Sequence, residues 1–309
     1  MIYSSYPPGS AHLLGMLLKA ATGRPWIADF RDAWTFDPLD KWLKVGGIRL
    51  NLERRLEGMV LRRADRVIIT TEVVRQDFVK RYPERRKKIV WIPNGFDGDE
   101  IKRVPPVSRP PGDRLLWVVH TGSFGYSHPH RSPFPVFKAL RGLMEERPEV
   151  ARRLRLMLIG SLMEEEQREA ADLVARGIVK IIGPVPRDTA LGYQKAADIL
   201  LLVDHPREGL ASNVPRKFYE YLAIRKPILA LVSEGATWDL MRELRAGMDV
   251  HPEDIEGIRE AFTTLVKQFE EGTLRSEVKE STLTRFEARS LAGALAARLD
   301  ELASCIDNA

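Results

Sequence analysis

The sequence has 309 residues, 44% of them hydrophobic, with 48 Lys/Arg against 43 Asp/Glu and a formal net charge of +5; this is a globular composition at a length that predicts two domains. No apolar run approaches the ~18 residues of a membrane-spanning helix, and the opening MIYSSYPPGS has neither the basic stretch nor the long apolar stretch of a secretory signal. Cys305 is the only cysteine, which excludes an internal disulfide and fits a cytoplasmic compartment.

In chain order, short apolar strand-like runs alternate with helical ones. In the first part, strands are predicted at 2–5, 26–29, 66–71 and 88–92, with helices near 10–22, 48–63 and 72–82. Residues 1–104 carry 20 Lys/Arg and 13 Asp/Glu, a net +7, while the remainder is net −2. The surplus lies in LERRLEGMVLRRADR and KRYPERRKK. A basic front half suits an anionic surface, either lipid headgroups on the inner face of a membrane or an acidic acceptor. The interleaved Glu53, Glu57, Asp65 and Glu84 read equally as solvated helix faces. No nucleic-acid-binding motif accompanies the charge, so nucleic acid is not expected as a partner.

ADFRDAWT, residues 28–35, closes one of these strands. Strand C-terminal ends in parallel sheets face the ligand crevice, so Arg31 and Asp32 are candidates for ligand contact; a salt-bridged strand end is the alternative. IPNGFD is a turn, since Asn94-Gly95 tolerates positive φ. Asp97-Gly98-Asp99 follows it and reads as loop, despite its formal DxD pattern. RVPPVSRPPGD, residues 103–113, is a stiff linker.

Beyond the linker, strands are predicted at 115–120, 154–160, 178–182, 198–203 and 227–232, with helices near 133–146, 163–176, 187–196, 215–224, 235–245 and 253–271. Continuous apolar strands between helices indicate parallel sheets covered on both faces. HTGSFG, residues 120–125, follows the first of these strands. Gly122 and Gly125 allow close backbone approach to a phosphate, with Ser123 and Arg131 beside it; an ordinary strand–helix turn has the same composition. GPVPRD, from 183, reads as a βα loop that positions Val185. His128-Pro129-His130 has no third metal ligand at suitable spacing, and no metal site is expected.

SNVPRKFYEYLAIRKPILAL, residues 212–231, is the most specific stretch. Pro215 suits a helix start. Lys217 and the free N–H groups of that start favour phosphate, and Glu220 can accept hydrogen bonds from sugar hydroxyls. Arg216–Glu220 as a surface i,i+4 pair is the plainer alternative.

This stretch resembles the donor-binding segment of GT-B glycosyltransferases of family 4, in which the glutamate of E-(Y/A)-(L/M)-A binds the nucleotide ribose; Glu220 matches it. Many members carry a second glutamate eight residues earlier, where this chain has Ser212. The resemblance extends to HTGSFG, whose counterpart contacts the donor diphosphate, to Val185 at the base, to N-G-F-D at the end of the first domain and to D-F-R-D-x-W. It implies an α/β GT-B fold of two Rossmann-like domains with parallel sheets. The implied segments are an acceptor-side domain (1–104), a donor-binding domain (112–275) and a C-terminal helix (276–309) crossing back onto the first domain. It implies transfer of a sugar from a nucleotide-diphosphate sugar to a sugar or lipid-linked acceptor, with retention and without cofactor or metal. Only four strands are predicted before the linker, against about six in a full nucleotide-binding half, so the first domain is expected to be incomplete at its N-terminal side. Two other readings stay open: a silent fragment that binds nucleotide-sugar or a partner protein, and a nucleotide-sugar epimerase of the same fold.

Overall fold

The structure, a computed structural model, describes residues 1–36 and 47–307, with side chains to Ser304. The Cys305 side chain and the final two residues of the predicted C-terminal segment lie outside the described residues. Two compact units form. Unit 1 comprises Met1–Phe96, Leu210–Arg216 and Thr284–Ala309; unit 2 comprises Asp97–Gly209 and Lys217–Leu283. The proline-rich 103–113 segment therefore lies inside unit 2.

Unit 1 is a parallel sheet in the order β1 (Ile2–Tyr6), β2 (Trp26–Phe30), β3 (Arg66–Ile69), β4 (Ile89–Trp91). Alternate residues of β2 point to opposite faces. Trp26, Ala28 and Phe30 join Leu61, Val67 and Phe78 in the main core. On the other face Ile27, Ile68 and Ile92 form a second cluster with Leu302, from the C-terminal helix Ala288–Asp307. Helix Gly9–Thr22 ends at Gly23, whose φ of 67° supplies the left-handed stop. Its inner face buries His12, Gly15 and Met16. Its outer face leaves Leu14, Leu17 and Leu18 in solvent, at 57%, 63% and 43% exposure.

Two of the acidic residues of the basic region, Glu57 and Asp65, are more than surface counter-charges, whereas Glu84 is exposed beside Arg85. Glu57 is fully buried; it takes Arg81 at 2.5 Å and the Thr35 amide and hydroxyl at 3.1 Å. Asp65 binds Lys19 and the Trp26 amide. Arg54, Arg55, Arg62, Arg63, Arg86 and Lys87 stay exposed.

Unit 2 holds six parallel strands: β5 (Leu116–Thr121), β6 (Leu154–Ile159), β7 (Val179–Gly183), β8 (Ile199–Val203), β9 (Ile228–Leu231) and β10 (Gly247–Val250). Their order is β10-β9-β8-β5-β6-β7, the doubly wound Rossmann order read from its far edge. Such sheets bind ligands beyond the strand ends where the order reverses, here β5 and β8. The strand β10 has no apolar run to announce it; Gly247 sits so close to β9 that a Cβ would lie 2.1 Å from the Ile228 carbonyl oxygen. The turn at 97–99 is also more than a loop. Asp97 accepts from the Asp99 and Glu100 amides and caps a short helix, Gly98–Arg103. That helix is fastened along Arg187–Ala196: Arg187 binds Glu100, Arg103 pairs with Asp188 at 3.6 Å, and Lys195 donates to the Ile101 and Val104 carbonyls.

Candidate functional site

The end of β5 is set by buried polar groups. Gln194 donates to the Thr121 hydroxyl at 2.9 Å, and the Thr121 amide donates to the Tyr221 hydroxyl at 3.3 Å. Gly122 follows, with φ 107°. Its amide is committed to the Ile159 carbonyl at 2.7 Å, and the Gly125 amide to Glu166 at 3.0 Å. The Gly122 and Gly125 amides of the HTGSFG turn are thus spent inside the unit. What Gly122 provides is room, since a Cβ there would lie 2.8 Å from the Lys217 ammonium.

Lys217 reaches this turn from the helix Arg216–Ile224 and donates to the Thr121 carbonyl at 2.6 Å. Burial, with the nearby charge of Arg131, pushes its pKa down to about 8. Arg131 donates to Asp204 at 3.0 Å, and its buried Nε has no hydrogen-bond partner among the described residues. Asp204 stands directly after β8 and also takes Arg207 at 2.8 Å and His205 at 3.1 Å. Burial works against its charge, but the His205 bond and the two arginines outweigh it and hold the carboxyl well below the usual range. His128, with His130 considered above as a metal pair, stacks on His205 at 3.6 Å between ring centres.

Glu220 lies one turn beyond Lys217 and is 6% exposed. Arg187 donates to it at 2.9 Å. Ser123 lines a cleft of about 520 Å³ beyond β5, β6 and β7, together with Gly160, Gln167, Gly183 and Pro184. Val185, half-buried, follows Pro184 in the loop after β7. Unit 2 therefore gathers Gly122, Arg131 and Lys217 at the ends of β5 and β8, with Glu220 on the same helix as Lys217. Ser212 belongs to unit 1, where its carbonyl accepts from Thr71 at 2.6 Å.

Arg31 and Asp32 lie in unit 1. Arg31 hydrogen-bonds Asn94 and stands 3.6 Å from Asp29, which accepts from the Tyr3 hydroxyl at 2.7 Å. Burial raises the pKa of both Asp29 and Asp32, against the lowering effect of Arg31. Arg31 and Asn94 also line a cavity of about 280 Å³ whose other wall is Leu291 and Leu295.

Asp204 and Arg187 were missed in the sequence. Asp204 directly follows an apolar strand, as Arg31 follows β2, so the strand-end rule applied to ADFRD would have found it. Arg187 carries only a weak signal, a basic residue at a helix start after Val185-Pro186.

Two units with parallel sheets give the chain an α/β fold of the GT-B type. Residues 1–95 match the family described as a glycosyl transferase 4-like domain. It is 26% identical over 201 residues to a D-inositol 3-phosphate glycosyltransferase of Nocardiopsis dassonvillei, a match covering 60% of this chain and 44% of that protein. Its fold is similar to a sucrose-phosphate synthase from Thermosynechococcus elongatus (TM-score 0.67, 16% identity, 98% of this chain and 74% of that one). It is also similar to a UDP-forming α,α-trehalose-phosphate synthase from Burkholderia vietnamiensis (TM-score 0.70, 16% identity, 98% and 72%). The chain thus spans less than half the length of the curated relative.

Proposed function

We propose that the protein transfers a sugar from a nucleotide-diphosphate sugar, held by unit 2, to a sugar or lipid-linked acceptor, with retention and without a metal. The carrying observation is the convergence of Lys217 and Arg131 on the Gly122 turn at the switch point of the unit 2 sheet. Breaking the donor's glycosidic bond to the diphosphate leaves negative charge on the departing oxygen. Preset cations in a partly desolvated site stabilise that charge more in the transition state than in the ground state. Lys217, Arg131 and the Ser123 hydroxyl are the groups for this role, and Glu220 is the ribose acceptor. Arg31 and Asp32 serve the acceptor.

The test is transfer or hydrolysis of UDP-, GDP- and ADP-sugars, with and without EDTA, with the product's anomeric configuration read by NMR. Inositol phosphate, the acceptor in the relative's name, is the first acceptor to try. Turnover without nucleotide-sugar consumption, or inversion, would overturn the corresponding part of the proposal. Binding without any turnover would favour a silent binder. The exposed basic residues of unit 1 support peripheral contact with an anionic membrane. Phosphatidylglycerol vesicles should retain the protein in low salt and release it in high salt, whereas phosphatidylcholine vesicles should not retain it.

A further inference from the structure

Glu220 is a buried carboxylate, and what fixes it is a residue with no role so far. Arg187 uses Nε and Nη2 to grip both oxygens of Glu100, at 2.5 and 2.7 Å, and the same Nη2 reaches Glu220 Oε1 at 2.9 Å. A guanidinium is a rigid plane, so gripping one edge in a two-point bond sets the direction of its remaining donors. The support behind the grip is also built in. Arg187 is the first residue of its helix, following Pro186. Glu100 sits on the short capped helix that Lys195 pins further along at the Ile101 and Val104 carbonyls. Gly192 lets the two segments close: the Val107 amide donates to its carbonyl at 3.1 Å, and a Cβ would lie 3.1 Å from the Pro105 oxygen.

We propose that Arg187 is a positioning residue which, braced by Glu100, orients the Glu220 carboxylate for the ribose hydroxyls of the donor. This rests on the donor-site reading above. Arg187 would act on the ligand through Glu220, so its effect should depend on the ribose hydroxyls and on the carboxylate being present. A pair that only stabilised the fold would show neither dependence.

Calorimetric affinities for UDP, GDP and ADP identify the nucleotide that wild type prefers, and the series is then repeated with its 2′,3′-dideoxy counterpart. Arg187→Ala should weaken the ribonucleotide about tenfold or more and leave the dideoxynucleotide unchanged. In a Glu220→Gln background it should have no further effect. Arg187→Lys keeps charge but not the two-point grip, and should fall close to Arg187→Ala. Glu100→Gln should weaken ribonucleotide binding in the same selective way. If Arg187→Ala fails to give a cooperative melt, Arg187→Lys and Glu100→Gln supply the comparison. Equal losses for both nucleotides, or full additivity with Glu220→Gln, would overturn the positioning role while leaving the donor site standing. Failure of wild type to bind any of the three would remove the donor reading, and this inference with it.

Discussion

Replacing Lys217 with methionine should make the protein more stable and a worse nucleotide binder at once. The ammonium ordinarily deprotonates near 10.5, and in the fold at about 8. That difference corresponds to roughly 3 kcal/mol against the charged form. Between about pH 8 and 10.5 the unfolded chain holds more protons at this residue than the folded one. Stability therefore rises with pH across that window, and the penalty is fully present below about 8. Methionine removes the penalty at similar length. Loss of the bond to the Thr121 carbonyl takes back about 1–2 kcal/mol. A net gain of about 1 kcal/mol at pH 7 should raise the melting temperature by roughly 2–4 °C, and the gain should shrink towards pH 10. Affinity for a nucleoside diphosphate should fall by roughly 10–150-fold, the loss of one charge-assisted contact. Wild type, but not Lys217→Met, should take up a proton on binding at pH 8.5, read by calorimetry in buffers of different ionisation enthalpy. A variant that melts lower at pH 7 and binds as wild type would refute both the buried charge and its role in the site.

Three further outcomes are expected. Glu220→Gln should lose about 1.5–3 kcal/mol of nucleoside diphosphate binding, measured by calorimetry; unchanged affinity would remove Glu220 from the site. Gly122→Ala places a Cβ at φ 107° and 2.8 Å from the Lys217 ammonium, costing about 1–3 kcal/mol of backbone strain, and should weaken binding more than Ser123→Ala does. The 309-residue chain should self-associate through the exposed Leu14, Leu17 and Leu18, and Leu17→Glu should shift it towards monomer in light scattering; a wild type that is monomeric at micromolar concentration would count against this.

The sheets were legible in the sequence because buried parallel strands are short apolar runs. All four strands of unit 1 and five of the six in unit 2 stand where apolar runs predicted them. GMDV of β10 escaped because its place is set by contact with β9 through Gly247, not by its own hydrophobicity. The helix at Gly98–Arg103 escaped for a similar reason: six residues carry no periodicity, and Lys195 and Arg187 hold it from outside. Of the candidate site, only placement along the chain was legible, Gly122 after a strand and Lys217 at a helix start, with Arg131 in the loop that follows Gly122 and Glu220 further along the same helix as Lys217. The partner of each was not. Asp204, Arg187 and the amide acceptor at Ile159 are distant in sequence, and only the fold selects them.

Those partners change how an anion would be held. Phosphate loops ordinarily present amides, but here the Gly122 and Gly125 amides are spent inside the unit, on Ile159 and Glu166. The positive charge at the strand ends must come from side chains. Asp204 cannot neutralise all of it, because Arg207 and His205 share that carboxylate with Arg131. Lys217 leans on a carbonyl oxygen and is disfavoured by Arg131. Lys217 and Arg131 thus repel each other, and a diphosphate bound between them would relieve that repulsion. Side-chain cations also make binding sensitive to salt and to pH above about 8, where a site built from amides would be indifferent to pH. That contrast is measurable with inorganic pyrophosphate alone. Affinity should drop from pH 7.5 to 9.5 in wild type relative to Lys217→Met, a comparison in which the titration of pyrophosphate itself cancels. A wild-type profile that parallels the variant's would mean that the anion is held elsewhere.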